Sequence, residues 1–185
     1  MTNENLEKIL QSKKEKKQAE GSIDWQARRD EWIQCVNNFY GQIKSWLNSY
    51  IKKDLIKIKT IKIEITEQYI GAYVIDRMII EMPDEKVFFT PIGALIIGAH
   101  GRIDMQGNRS VARFLLVEKK SDQPHIEVKI YSSEDERKKD EEKTRQQVKT
   151  PVEYVWKFAT PPPRIKYIEL NEDLFSDLFS QVING

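Results

Sequence analysis

Three residues in the middle of the chain have the types and spacing that metal-dependent hydrolysis needs. They are Asp104, Glu118 and Lys120, and the two carboxylates are fourteen positions apart. Carboxylate oxygens are ligands that Mg²⁺ prefers, and a nearby lysine can position or activate an attacking water. Glu118 and Lys120 are two positions apart, so on a strand they share one face. This set is the catalytic candidate of the chain.

An Asp on one strand followed by Glu-x-Lys on the next resembles the metal-binding pattern of restriction-endonuclease-like nucleases. The resemblance implies a Mg²⁺-dependent nuclease that uses these three side chains. However, an acidic residue two positions before a lysine occurs six times in this chain, in which 32% of the residues are charged. The Ser-Asp-Gln-Pro sequence after Lys120 also predicts a turn and a strand, where a nuclease core passes into a helix. The nuclease is therefore the alternative function, not the favoured one.

The segment Gly98–Asp104 is a second candidate site because it combines two glycines with polar side chains. His100 and Arg102 could form a small concavity that binds an anion. The other interpretation is a turn between strands, in which the glycines supply unusual dihedral angles. A phosphate-binding loop opens a helix, whereas this segment leads into a strand. The turn is the favoured interpretation, and the anion site is a hypothesis.

A third candidate is a group of lysines where the first helix meets the first strand. Lys57 and Lys59 alternate with isoleucines and so share one face, and Tyr69 and Tyr73 could stack on bases. Such a patch could contact nucleic acid. Acidic residues in the same stretch weaken its field, so the solvated face of an amphipathic strand is the favoured interpretation. The lysines of this basic patch are Lys52, Lys53, Lys57 and Lys59.

The elements that position these residues begin with an aromatic-rich helix. Apolar side chains recur at steps of three and four from Trp25 to Ile51. That spacing predicts a helix of about 28 residues, roughly 42 Å long. Ser22 can cap its start, and Asp24 falls in the first turn, where the helix dipole favours a carboxylate. We expect the aromatic stripe to face the core and Cys35, beside it, to be a small hydrophobic residue.

Beyond Asp54 the apolar period becomes two, which predicts strands. The apolar set changes from even to odd positions between Ile58 and Ile61, so we expect a bulge or bend near Lys59-Thr60. Short strands joined by Gly, Pro, Asn and Asp turns, with no helix between them, favour an antiparallel meander over βαβ units. The further predicted strands are Ile70–Glu81, Lys86–Thr90, Arg102–Met105, Val111–Val117, Ile126–Tyr131, Val152–Phe158 and Arg164–Leu170.

A second amphipathic helix is predicted after the last strand. Asn171 is its predicted cap, and apolar side chains from Leu174 to Ile183 repeat with helical period. We therefore predict one α+β domain over residues 22–185. It consists of an antiparallel meander sheet of seven to eight strands, with a long N-terminal helix and a C-terminal helix packed on one face.

Two charged segments are predicted to lie outside this core. Residues 1–21 are expected to form a flexible basic arm, since they carry few large apolar side chains. Residues 132–147 contain no aliphatic or aromatic side chain, which predicts an exposed excursion. Exposed appendages of this kind are elements that partners engage.

Composition argues against several classes of protein. The net charge of +1 gives no overall attraction to nucleic acid or anionic lipid, and the apolar runs are too short for a membrane span. One cysteine cannot form an internal disulfide, which favours the cytosol, and two histidines leave little material for metal or Ser-His-Asp chemistry. We expect a cytoplasmic, non-catalytic module that binds another protein or itself. We expect no cofactor, no metal site, no membrane contact and at most a local contact with nucleic acid.

Overall fold

The predicted turns separate strands that form one antiparallel sheet. A computed structural model describes residues 24–124 and 152–184. Within these ranges seven strands lie in the sheet in chain order, and each neighbouring pair is antiparallel. The predicted α+β meander is confirmed. The strands are β1 (Lys57–Glu67), β2 (Gly71–Glu81), β3 (Lys86–Gly93), β4 (Gly101–Gln106), β5 (Val111–Glu118), β6 (Tyr154–Ala159) and β7 (Tyr167–Glu169).

Helix α1 (Trp25–Trp46) begins at Asp24, whose Oδ1 accepts a hydrogen bond from the Ala27 amide at 2.9 Å. Asp24 is therefore the N-cap and not a first-turn residue. The helix has 22 residues and is interrupted at Leu47, after which the short helix α2 (Asn48–Lys52) follows. The two helices together cover the stretch that the periodicity predicts, with one break.

The aromatic stripe of α1 packs on the sheet. The ring of Phe39 lies 6.3 Å from Phe89, 5.3 Å from Phe114 and 4.8 Å from Trp156, measured between centroids. These three partners belong to β3, β5 and β6, so one helical side chain contacts three strands. The predicted core position is confirmed for the part of the stripe that lies in α1, whereas Tyr50, in α2, is 48% exposed. The buried residues of α1 are Trp32, Val36, Phe39, Tyr40 and Ile43.

Helix α3 (Glu172–Asn184) starts at the predicted cap, since Asn171 Oδ1 accepts a hydrogen bond from the Leu174 amide at 2.8 Å. Its Phe175 ring lies 6.4 Å from Phe89, which also contacts α1. Both helices therefore cover the same face of the sheet, as predicted. The buried residues of α3 are Phe175, Leu178 and Val182.

The β1–β2 hairpin changes its inward face without a bulge. The two strands pair one to one over all eleven positions. On β2 the buried positions change from odd to even between Ile75 and Met78. Nearly opposite on β1, the half-buried positions change from even to odd between Ile58 and Ile63. Of the two predicted alternatives at residues 59–60, the bulge does not form, because both strands change face together and no extra residue is needed.

Several predicted segments lie outside the described residues. They are the basic arm at 1–21, the strand Ile126–Tyr131 and the charged excursion at 132–147. Among the helices that the structure describes, none has both the length and the apolar character that a membrane crossing requires.

Replacing Phe39 tests the position of α1 on the sheet. Phe39 is 1% exposed, so Phe39→Ala leaves a cavity between α1 and three strands. We expect the free energy of unfolding to fall by about 3–5 kcal/mol in urea denaturation. The control is Ile97→Ala, because Ile97 is 85% exposed. Its change should stay within about 0.5 kcal/mol. Equal effects of the two substitutions would contradict the packing.

Candidate functional site

The register of β4 and β5 separates the residues of the predicted nuclease site. Asp104 lies opposite Arg113, whereas Glu118 ends β5 five positions further on. That separation is roughly 16 Å along the strand, and an odd number of steps reverses the face to which a side chain points. Lys120 follows in the turn after β5. The structure therefore does not bring Asp104, Glu118 and Lys120 together, and their geometry gives the nuclease hypothesis no support.

Asp104 instead pairs with a neighbour on its own strand. Arg102 Nε and Nη2 donate to Oδ1 and Oδ2 of Asp104, both at 2.6 Å. This bidentate contact raises the pKa of Arg102 above its ordinary value. Ile103 and Met105, which alternate with this pair, are buried beneath the helices. The pair therefore lies on the sheet face opposite the helices.

The predicted anion site at His100 and Arg102 is divided as well. The His100 ring stacks on Tyr154, with 3.9 Å between ring centroids. Tyr154 lies two positions before Trp156, which contacts α1, so it is on the helix-covered side of the sheet. Arg102 is on the other side. The structure does not bring the two side chains together.

The strand part of the predicted basic patch is neutralised by carboxylates. Lys59 Nζ lies 2.5 Å from Glu81, and Lys57 Nζ lies 3.8 Å from Asp54. Glu81 also pairs with Lys86 at 2.9 Å, and its two lysine partners hold its pKa below the ordinary value. The two remaining lysines of the patch lie at the exposed end of α2. They are Lys52 and Lys53.

The connection between β3 and β4 is fixed on one side by Glu67, the last residue of β1. The Glu67 carboxylate accepts hydrogen bonds from the amides of Ala94 at 3.0 Å and Leu95 at 2.7 Å. It also accepts one from the Tyr73 hydroxyl at 2.6 Å. A Cβ added at Gly93 would lie 2.7 Å from Glu67 Oε2, so the close approach requires glycine there. One carboxylate thus joins the end of the β1–β2 hairpin to the start of this connection.

The other side of the same connection is fixed by Arg28 of α1. Its Nη2 donates to the carbonyl oxygens of Ala94 at 3.1 Å and His100 at 2.7 Å. Nη1 lies 3.4 Å from Glu31, one helical turn further on. Arg28 therefore binds both ends of residues 94–100 while its charge is balanced by a neighbouring carboxylate.

His100 is held as a neutral ring. Burial, together with the positive charge of Arg28, lowers the pKa of His100 to about 4. Its Nε2 lies 3.2 Å from Glu31 Oε2. Since a carboxylate only accepts, a neutral ring makes this contact by donating its Nε2 hydrogen. The stack on Tyr154 and the contact with Glu31 fix the orientation of the imidazole.

A cleft of about 300 Å³ opens beside this stack. It lies between the β3–β4 connection, the end of β5 and the start of β6. Among the described residues that line it, Glu118 alone carries a formal charge, since His100 is neutral. Burial and the charge of Glu118 raise the pKa of Tyr154, so its hydroxyl stays protonated. The lining residues are Gly98, Ala99, His100, Val117, Glu118, Ser121 and Tyr154.

The cleft offers an aromatic surface, one carboxylate and several neutral polar groups. Over residues 24–124 and 152–184, no three His, Cys, Asp or Glu side chains are placed to hold a metal ion. Cys35 is half-buried, and burial raises the pKa of its thiol. These features suit the binding of a positively charged group, which a carboxylate and an aromatic ring both attract.

The fold combines residues that belong to separate hypotheses in the sequence. His100 comes from the predicted anion site and Glu118 from the predicted nuclease site, yet both line one cleft. Arg28, Glu31 and Tyr154 all contact His100, and the sequence analysis misses these contacts. The i, i+3 spacing of Arg28 and Glu31 predicts their ion pair, but it gives no indication of the loop that Arg28 binds.

The helices and the sheet form two layers, and the cleft lies at one end of the sheet. The chain is therefore a two-layer α+β protein with a preformed cleft at the end of its sheet near the start of α1. Comparisons of the chain with models of protein families, with curated proteins and with solved structures gave no match.

Removing the Glu67 carboxylate tests how the β3–β4 connection is fixed. In Glu67→Ala the amides of Ala94 and Leu95 lose their acceptor. We expect their hydrogen exchange, followed by NMR, to accelerate on the order of tenfold to a hundredfold. Glu64→Ala is the matched control, because Glu64 is an exposed carboxylate on the same strand. Unchanged exchange in Glu67→Ala would contradict the role assigned to this carboxylate.

The pKa of His100 predicts a loss of stability in mild acid. The unfolded chain protonates this ring near pH 6.5, whereas the folded protein does so only at about 4. Its contribution is therefore complete above pH 6.5 and is lost as the pH falls toward 4. We expect the free energy of unfolding of the wild type, relative to His100→Gln, to decrease across this window. An NMR titration of His100 with a midpoint near 6.5 would contradict this prediction.

Proposed function

We propose that this protein is a non-catalytic interaction module that binds a positively charged side chain of a partner protein in the His100–Tyr154 cleft. We also place it in the cytosol, since its single cysteine cannot form an internal disulfide. The observation that carries the proposal is the combination of an aromatic stack with a single carboxylate, Glu118, in a preformed cleft.

Charge supports a cationic ligand. Around the cleft Arg28 is balanced by Glu31, and Lys119 Nζ lies 3.1 Å from Glu153. The Glu118 carboxylate makes no hydrogen bond or ion pair with another of the described residues. A guanidinium or ammonium group bound there gains a carboxylate partner and the face of an aromatic ring. An anion would instead meet the Glu118 charge and a neutral imidazole.

The size of the cleft supports a side chain as the ligand. Its volume of about 300 Å³ is at the lower limit of small-molecule sites. A lysine or arginine side chain that enters from a partner's surface needs no more room than this. The preformed walls favour binding, because residues 94–100 are already ordered by Arg28 and Glu67.

Binding of a short arginine peptide tests the proposal. The probe is acetyl-Gly-Arg-Gly-amide, and the control peptide carries citrulline, which has nearly the same shape and no charge. We expect chemical-shift changes at His100, Glu118 and Tyr154 with the arginine peptide only. One engaged side chain should bind weakly, with Kd on the order of 1 mM.

Variants distinguish this cleft from general surface charge. Glu118→Gln should weaken binding roughly tenfold or more, because the charge-assisted hydrogen bond is lost. Tyr154→Leu should weaken it as well. Glu169→Gln is the matched control, since Glu169 is an exposed carboxylate on β7 and should leave binding unchanged. Equal binding of the citrulline peptide, or no effect of Glu118→Gln, would overturn the proposal.

A further inference from the structure

A second concave surface lies at the opposite end of α1. It is a groove of about 490 Å³ between the α2–β1 corner, the turn from β2 to β3, and helix α3. Its lining is largely apolar and includes the buried Leu47, Ile56 and Phe175, which belong to the core. The groove therefore exposes an edge of the hydrophobic core to solvent.

Large apolar side chains also project from the corner that forms one wall. Tyr50 is 48% exposed, Ile51 is 36% exposed and Leu55 is 53% exposed. The backbone fixes this corner, because the Leu55 amide donates to the Tyr50 carbonyl at 3.1 Å and the Asp54 amide donates to the Ile51 carbonyl at 3.0 Å. Asp54 has φ 55, in the left-handed region. An ordered, exposed apolar corner beside an apolar groove is typical of an interaction surface.

The groove and the corner beside it carry opposite charges. Asp84 and Glu85 of the β2–β3 turn line the groove, whereas Lys52 and Lys53 lie on the corner next to the lining residues Tyr50 and Leu55. None of these four side chains forms an ion pair with another residue in the described ranges. A partner that inserts apolar side chains flanked by lysines would match this groove, and the corner of a second copy has that composition.

We propose that the groove binds a second copy of this chain, in a twofold-symmetric dimer. In such an interface the corner of each copy faces the turn of the other, so that both contacts form twice. Lys52 and Lys53 of one copy then face Asp84 and Glu85 of the other, and Tyr50 and Leu55 enter the apolar groove. The proposal does not depend on the cationic ligand of the His100–Tyr154 cleft, which lies at the other end of α1.

Charge reversal on the corner and on the turn tests this arrangement by sedimentation equilibrium of the full chain, from low micromolar to near-millimolar concentration. We expect the wild type to dimerise. The double variants K52E/K53E and D84K/E85K should each raise the dimer dissociation constant roughly tenfold or more, because like charges then face each other. Leu55→Ser should weaken the dimer too, through loss of apolar contact.

The decisive measurement is a mixture of the two double variants. K52E/K53E carries acidic residues on both the corner and the turn, and D84K/E85K carries lysines on both. Two copies of the same variant therefore repel each other, whereas the two different variants attract. We expect the mixture to form a heterodimer at least as well as the wild type forms its homodimer. Circular dichroism confirms that each variant is folded, as expected for exposed positions.

K119E/K120E is the matched control, since it reverses two adjacent exposed lysines away from the groove. It should dimerise like the wild type, as should Tyr154→Leu. A wild type that stays monomeric throughout the range would overturn the proposal, whether or not another protein or peptide binds the groove. Failure of the mixture to associate would overturn it equally.

Discussion

The contact between Phe39 and the sheet positions the rest of the molecule. Its ring lies against β3, β5 and β6 at once, which fixes α1 along the sheet. A helix of 22 residues is about 33 Å long, so its two ends reach different edges of the domain. The first turn places Arg28 against the β3–β4 connection, and Leu47, at the other end of the helix, lines the groove that the β2–β3 turn also lines. Cleft and groove are therefore both consequences of how one helix packs.

In residues 94–100, hydrogen bonds from side chains take the place of the backbone hydrogen bonds that a helix or strand would provide. The segment contains only an isolated bridge between Ile96 and Ala99, so its backbone groups need other partners. Glu67 accepts from amides at its start, and Arg28 donates to carbonyls at both ends. The carboxylate thus provides an acceptor for backbone amides, and the guanidinium provides donors for backbone carbonyls. His100 is held at the end of this segment, so contacts within the chain position one wall of the cleft.

Much of the fold could be predicted from the sequence, but little of the cleft. Periods of 3.6 and 2 are local signals, and they predict the helices, the strands and the Asn171 cap. Local patterns do not contain strand register, and Glu118 lies five positions along β5 from the residue opposite Asp104, an odd number that puts the two carboxylates on different faces. For the same reason the sequence does not distinguish a bulge from a bend at residues 59–60, since only pairing shows that both strands change face together. Arg28 and His100 are 72 positions apart, and no periodicity connects them.

Several charged side chains on the sheet are paired with a neighbour of opposite sign. On the sheet, Lys62 pairs with Asp76 at 2.8 Å, and further pairs join Lys59 to Glu81 and Arg102 to Asp104. Exposed ion pairs add little stability, but each pair cancels most of the electrostatic field of its two charges. The lysines on the edge strand β1 also discourage pairing with a strand of another molecule. Within the described residues, Glu118 in the cleft, Asp84 and Glu85 in the groove, and Lys52 and Lys53 on the corner beside it have no such partner, and neither do other exposed charges such as Glu64 and Glu169. Because the groove walls also expose apolar side chains, charge and hydrophobic surface coincide there, and this coincidence is what a specific protein interface requires.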